Sequence, residues 1–194
     1  MKALVTGGAG FIGSHLVEEL VRLGHEVVVI DNLSSGRIEN LSTVSSRIEI
    51  VEADLSKNLD WERYFGGIDW VFHLAALADI VPSIQDPDSY FASNVNGTYN
   101  LVRASQKAGV KRLIYVASSS CYGIPEQIPT PETEPLKPQY PYALTKNIGE
   151  QIVMHWGCVY KINVISLRLF NVYGPRSRTS GTYGAVFGVF LAQK

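Results

Sequence analysis

Cysteine is scarce in this sequence. Cys121 and Cys158 are the only two among 194 residues, and they stand in separate segments without metal-ligand spacing. That excludes a disulfide scaffold or a thiolate metal site, and no metal is expected; two reduced thiols in a cytosolic protein are the plainer reading. An excess of charge of one sign is also missing. Seventeen Lys and Arg stand against eighteen Asp and Glu, a formal net charge of −1, with no basic run. Nucleic acid is thereby disfavoured as a partner, since phosphate binding needs clustered cations. No apolar run approaches the ~18 residues that a membrane span needs. The stretch "MKALVTGGAG" (1–10) lacks the apolar region and small-residue cleavage site of a secretory signal. A cytoplasmic protein without a membrane partner is expected. Internal repeats and low-complexity tracts are absent as well.

What is present is an alternation. Short apolar, β-branched runs recur at 2–7, 26–31, 47–55, 69–76, 112–119 and 162–171. Several lack a clean in-out pattern, which suits strands covered on both faces. Helical patterns lie at 11–23, 89–109 and 142–160. Strand and helix in this order predict right-handed crossovers and an α/β, doubly wound parallel sheet. At 46% hydrophobic and 18% charged, the chain can bury one sizeable core. The proline-rich stretch "GIPEQIPTPETEPLKPQYP" (123–141) reads as a long loop on the substrate side. At 182–194, "TYGAVFGVFLAQK" reads as a helix that starts without a cap or breaker to end it.

Between the first strand and first helix, "ALVTGGAGFIGSHL" places Gly7, Gly10 and Gly13. Such glycines allow a tight turn, close approach of a pyrophosphate and close packing of helix on strand. The helix N-terminus then offers unpaired N–H groups to the phosphates. The second strand ends in Asp31, eighteen positions after Gly13. An acid there accepts hydrogen bonds from ribose hydroxyls and repels a 2′-phosphate, which favours NAD over NADP. The competing role for Asp31 is to cap the turn "DNLSSG". Asp54 is expected at the end of the third strand, either at the adenine edge or as a local cap. His73 is expected to be a satisfied core histidine rather than a catalyst.

Tyr142 and Lys146 stand four apart at the start of a helix and so share a face. Such a pair is commonly just a solvated helix side. As chemistry, an ammonium beside a phenol, together with the positive nicotinamide of NAD⁺, favours the phenolate and moves a weak base toward neutral pH. The run "LIYVASSSCYG" (113–123) ends in hydroxyls that could hold the substrate oxygen.

Taken together, "TGGAGFIGSHL", "DN" (31–32), "ADL" (53–55), "HLAA" (73–76), "NVNGT" (94–98), "SSSCYG", "PYALTK" and "LRLFNVYGP" (167–175) span nearly the whole chain. In order and spacing they resemble the extended short-chain dehydrogenase/reductases, in particular the NAD-dependent nucleotide-sugar epimerases and dehydratases. The resemblance implies a Rossmann fold over 1–181 and, at 182–194, the start of a smaller substrate domain that continues in relatives. It implies NAD contacts from Gly7, Gly10, Phe11, Ile12 and Gly13, and from Asp31, Asn32, Asp54 and Leu55. Leu74, Ala75, Ala76 and Asn94, with Tyr142 and Lys146, complete that set. Tyr142 is implied as catalytic base, Lys146 as its orienting partner and Ser118 as the third member, with Ser119 as the alternative. Ser118, Ser119, Ser120, Tyr142 and Asn171 are implied to face a nucleotide-diphosphate sugar, of which UDP-sugars are the commonest. A homodimer through 89–109 and 142–160 is also implied, unless Val153 and Trp156 turn to the core.

Family dehydratases carry Asp and Glu at the two positions after the catalytic hydroxyl. Here those positions are Ser119 and Ser120, and neither hydroxyl is a competent acid or base unaided. Elimination is disfavoured, and a 4-epimerase working through a transient 4-keto sugar is expected, of the UDP-glucose and UDP-galactose type. A 4,6-dehydratase or net oxidoreductase, and a catalytically silent NAD-binding module, are the competing readings.

Overall fold

Apolar strands that resist alternation need cover on both faces, and the first two strands of the chain receive it. The computed structural model describes residues 1–57 and 59–177. Strands β1 (Lys2–Thr6), β2 (Glu26–Asp31), β3 (Ile48–Glu52), β4 (Trp70–His73), β5 (Arg112–Ser118) and β6 (Asn163–Leu169) form one parallel sheet. Their order is β3-β2-β1-β4-β5-β6. This is the doubly wound Rossmann arrangement. Its winding reverses between β1 and β4, which opens a crevice at their C-terminal ends. The helices are α1 (Phe11–Arg22), α2 (Ile80–Gln85), α3 (Pro87–Tyr90), α4 (Gly97–Lys107) and α5 (Pro141–Tyr160). No helix among the described residues is long and apolar enough to cross a membrane.

Successive side chains of a strand leave on opposite faces, so each central strand feeds two cores. From β1, Ala3 and Val5 join Val17, Leu20 and Val21 of α1. Leu4 joins Trp61, Phe65, Leu101, Leu113 and Tyr115 on the other face. Val153 of α5 is fully buried in that second core, whereas Trp156 is only partly buried and packs against its rim. Both cysteines are free, Cys121 buried and Cys158 exposed.

The elements depart from expectation in two places. The segment predicted as one helix from 89 begins at Pro87 and is interrupted by a π turn over Phe91–Asn96. That wider turn carries Asn94, whose side chain is turned to a neighbouring loop instead of extending a regular helix. β3 ends at Glu52 rather than reaching Asp54, although Ala53 N–H still donates to the Asp31 carbonyl at 3.1 Å. The expected domain boundary and the stretch 182–194 lie outside the described residues.

His73 stitches the layers together. Its Nδ1 lies 2.7 Å from Thr6 Oγ1 and its Nε2 lies 2.9 Å from Thr98 Oγ1. The Thr98 hydroxyl donates its one proton to the Asn94 carbonyl, at 2.6 Å. It therefore accepts from Nε2–H, and Thr6 donates to Nδ1. The imidazole is held neutral, a core group with both nitrogens bonded. Burial, with the Lys146 charge adding, pulls its pKa down from 6.5 to about 3. A group with a lowered folded pKa contributes stability above its unfolded pKa and loses it as pH falls. Below pH 6.5 the unfolded chain takes a proton that the folded one refuses, at about 1.4 kcal/mol per pH unit. Urea midpoints between pH 6.5 and 5, where carboxylates remain charged, should carry that slope. His73→Asn should reduce it even though the variant is less stable throughout, and an unchanged slope would place the acid sensitivity elsewhere.

Candidate active site

The glycine loop leaves β1 and enters α1 at the crevice. Gly7 sits at φ +70°, and a Cβ there would lie 2.7 Å from the Ala75 nitrogen. At Gly13 a Cβ would collide with the Gly7 carbonyl, so the helix starts tight against the loop. Gly10 differs. It is the extended N-cap of α1, without a side-chain cap or an acid in the first turn. A Cβ at Gly10 would meet only the Gly7 oxygen, at 3.2 Å, with open space beyond. An uncapped, positive helix end facing open space, with Phe11 and Ile12 half-buried beside it, fits a pyrophosphate.

Asp31 is 7% exposed at the tip of β2. Its Oδ2 accepts from Ala9 N–H and its Oδ1 from Leu33 N–H, both at 2.9 Å. The capping role is thus real, and it holds the carboxylate at the C-terminal end of β2. Gly36 lies against it, where a Cβ would come within 2.9 Å of both carboxylate oxygens. Alongside runs an open depression of about 510 Å³ lined by Asn32, Ser34, Glu52, Ala53, Asp54 and Lys57. Asn32 Oδ1 accepts from the Ser34 N–H and hydroxyl. Asp54 caps its own turn, accepting from Ser56 N–H at 2.9 Å and Ser56 Oγ at 2.6 Å, while still bordering the depression. Leu55, just beyond, is buried. The chemistry of this wall suits an adenosine.

Beyond β4, the half-buried Leu74, Ala75 and Ala76 run along the opposite lip. Leu74 N–H donates to the Thr6 carbonyl at 3.1 Å and Ala75 N–H to Thr6 Oγ1 at 3.3 Å. Asn94, 1% exposed, holds the next residue of this lip. Its Oδ1 accepts from Leu77 N–H and its Nδ2 donates to the Leu77 carbonyl and to Thr145 Oγ1. Thr145 in turn donates to the Tyr142 carbonyl at 2.9 Å. Asn94, expected among the cofactor contacts, braces the lip and the tyrosine helix through those bonds.

Ser118 is the last residue of β5, and Tyr142 follows the proline that starts α5. The Ser118 hydroxyl accepts from Ser120 N–H at 3.2 Å and lies near enough to the Tyr142 phenol to pull its pKa down. Ser119 and Ser120 are half-buried in the short 3-10 turn that follows. Asn171 is exposed, two residues past the end of β6. Lys146 is 3% exposed, and its Nζ sits 4.4 Å from the centroid of the Tyr115 ring. Tyr115 Oη donates to the Lys146 carbonyl at 3.2 Å. Gly149 covers the same hydroxyl, where any Cβ would strike it.

Burial pushes the Tyr142 phenol above its usual pKa, and the Ser118 hydroxyl pulls it down. Burial also lowers Lys146, to about 8, because its ammonium rests on an aromatic face in place of water. The protein alone therefore holds the phenol neutral and the lysine charged at pH 7. Tyr115, Thr145, Gly36 and Gly149 were missed in the sequence. Only Thr145, beside Lys146 and in reach of Tyr142 along the helix, offered a signal by spacing.

Residues 3–193 match the family model described as the NAD dependent epimerase/dehydratase family. A UDP-glucose 4-epimerase of Mycolicibacterium smegmatis is 39% identical over 194 residues, covering 96% of this chain and 61% of that protein. The crystal structure of a UDP-glucose 4-epimerase with UDP-glucose from Thermotoga maritima superposes with a TM-score of 0.92 at 38% identity, covering 98% of this chain and 62% of that one. A Thermus thermophilus UDP-glucose 4-epimerase in complex with NAD superposes with a TM-score of 0.88 at 38% identity, covering 99% and 61%. The chain thus spans about three fifths of the length of these proteins.

Gly36→Ala should force the Asp31 carboxylate aside and weaken NAD binding by about 10- to 100-fold, the worth of hydrogen bonds to a charged group. Calorimetric titration with NAD measures this, and an unaltered affinity would remove Asp31 from the ribose.

Proposed function

Because this chain belongs to the NAD dependent epimerase/dehydratase family, we propose that its protein is a UDP-sugar 4-epimerase of the UDP-glucose and UDP-galactose type. The observation that carries this is the Ser118 hydroxyl at the end of β5 set against the Tyr142 phenol, whose pKa it lowers, followed by Ser119 and Ser120 where elimination would call for carboxylates. The similarity to UDP-glucose 4-epimerases supports it.

The glycine loop, Asp31 and the walls around Asn32 and Asp54 would hold NAD, which supplies a reversible hydride acceptor when bound. Everything else asked of the protein is the handling of one proton. Tyr142 must first lose its own proton to solvent; as phenolate it then accepts the proton of the sugar C4 hydroxyl as the C4 hydrogen leaves as hydride. Ser118 hydrogen-bonds the same oxygen and fixes its position. Lys146 keeps a positive charge in a nearly dry site and, together with the positive nicotinamide of bound NAD⁺, would favour that phenolate over the neutral phenol. After the keto sugar presents its other face and regains hydride, Tyr142 returns the proton. Nothing is consumed.

The same reading has the protein act in the cytoplasm and pair as a homodimer through α4 and α5. On that surface Tyr99 meets Trp156 edge-on at 5.6 Å, and Trp156 meets Tyr160 at 5.6 Å. Met154, Val159 and Tyr160 are each about half exposed there.

In the full-length protein, Tyr142→Phe should cut UDP-galactose to UDP-glucose conversion by about 10²- to 10⁴-fold, the usual worth of a general base, while NAD binding persists. Undiminished conversion would remove Tyr142 from the chemistry. A 4-keto-6-deoxy product, or NADH formed in step with substrate loss, would replace the epimerase with a dehydratase or an oxidoreductase.

A further inference from the structure

Within "LRLFNVYGP", Arg168 of β6 points back under the site. Its Nε lies 3.1 and 3.0 Å from the two carboxylate oxygens of Glu150, and Nη2 lies 2.9 Å from Oε1. Nη1 donates to Tyr122 Oη at 3.0 Å and to the Glu132 carbonyl at 3.2 Å. The guanidinium also lies 5.1 Å from the Tyr122 ring centroid, and that ring stacks on Phe170. Each partner belongs to a different part of the site. Glu150 is on α5, one helical turn after Lys146 and two after Tyr142. Tyr122 closes the turn that begins at Ser118, and Glu132 lies in the proline-rich loop. Glu150 and Arg168 are largely buried, with side chains 9% and 21% exposed.

We propose that Arg168 and Glu150 are positioning residues for proton transfer, locking the Ser118 turn to the Tyr142–Lys146 helix and balancing the charge one turn from Lys146. The planar fork suits this task, since it grips a carboxylate with two bonds and has a donor left for the phenol. Around Lys146 stand the Tyr115 ring from β5, Cys121 from the turn after it, His73 from β4, and Tyr142 and Glu150 from its own helix. Glu150 is the one carboxylate in that set, and it raises the proton affinity of Lys146 against the effect of burial. Arg168 offsets it. Removing either member leaves the other uncompensated in a poorly hydrated place.

The two removals act on Lys146 with opposite sign. Arg168→Gln leaves an unbalanced carboxylate and raises its pKa; Glu150→Gln leaves an unbalanced guanidinium and lowers it. The double variant returns near the starting value. A purely mechanical brace gives no such opposition. The positioning of catalysis rests on the epimerase reading, whereas the charge balance does not, so two measurements are needed. The first is the pH titration of Lys146 followed by ¹³Cε NMR in wild type, both single variants and the double variant. Midpoints displaced upward for Arg168→Gln and downward for Glu150→Gln support the pair; no displacement, or displacement in one direction, overturns it. The second is kcat and KM against pH. Arg168→Gln should lose about 10- to 100-fold in kcat, as misplacement of catalytic groups does, with its alkaline limb moved up. Arg168→Lys keeps the charge without the fork, so it should lose kcat while its Lys146 midpoint stays near that of wild type. Full kcat in Arg168→Lys would overturn the positioning role. If Arg168→Gln does not fold, Glu150→Gln and Arg168→Lys carry both tests. A wild-type protein that turns over no sugar but shows the split midpoints would sink the epimerase reading and leave the charge pair standing.

Discussion

Lys146 keeps its ammonium with almost none of its surface in water, and much of the surrounding structure answers to that constraint. An isolated buried charge is costly. Here its support is an aromatic face below and a carboxylate one turn along the helix, itself held by the Arg168 guanidinium. Tyr115 serves twice, with its ring under the Nζ and its hydroxyl on the Lys146 carbonyl. The helix is thereby pinned to the strand that delivers Ser118. A lysine at about pKa 8 is still mostly charged at neutral pH, so it can act as a fixed positive field rather than a proton donor.

The sheet order explains why these groups meet the glycine loop. Winding reverses between β1 and β4, and the two lips of the resulting crevice are tied from below. Thr6, His73, Thr98 and Asn94 form a continuous hydrogen-bonded path from the end of β1 to the π turn. Asn94 then bonds Leu77 on one lip and Thr145 on the tyrosine helix. Cofactor side and proton-transfer side are thus parts of one polar lattice. Each member has hydrogen-bond partners within it, which is what allows polar groups to lie so deep.

Much of this was legible in the sequence because it is periodic or local. Six apolar runs predicted six strands, and the glycine spacing with Asp31 predicted the first crossover and its loop. Tyr142 and Lys146 lie on one helix, so their shared face followed from helical geometry alone. What escaped depends on contacts between distant segments. The π turn at Phe91–Asn96 is dictated by bonds to Leu77 and Thr145, neither of which is near in sequence. Spacing also says nothing about burial, which is the larger influence on both Tyr142 and Lys146. Arg168 stood in plain view in a quoted motif, yet its partners lie 18, 36 and 46 positions away.

Gly149 sits in the middle of α5 with the Tyr115 hydroxyl where a methyl group would be. By intrinsic preference alone, alanine there should stabilise the helix by about 1 kcal/mol. An engineer seeking thermal robustness would choose that exchange early. The methyl would instead lift α5 away from β5 at the level of the lysine, so any gain in ordering would come with a displaced base. This position separates what is good for a helix from what is good for this helix.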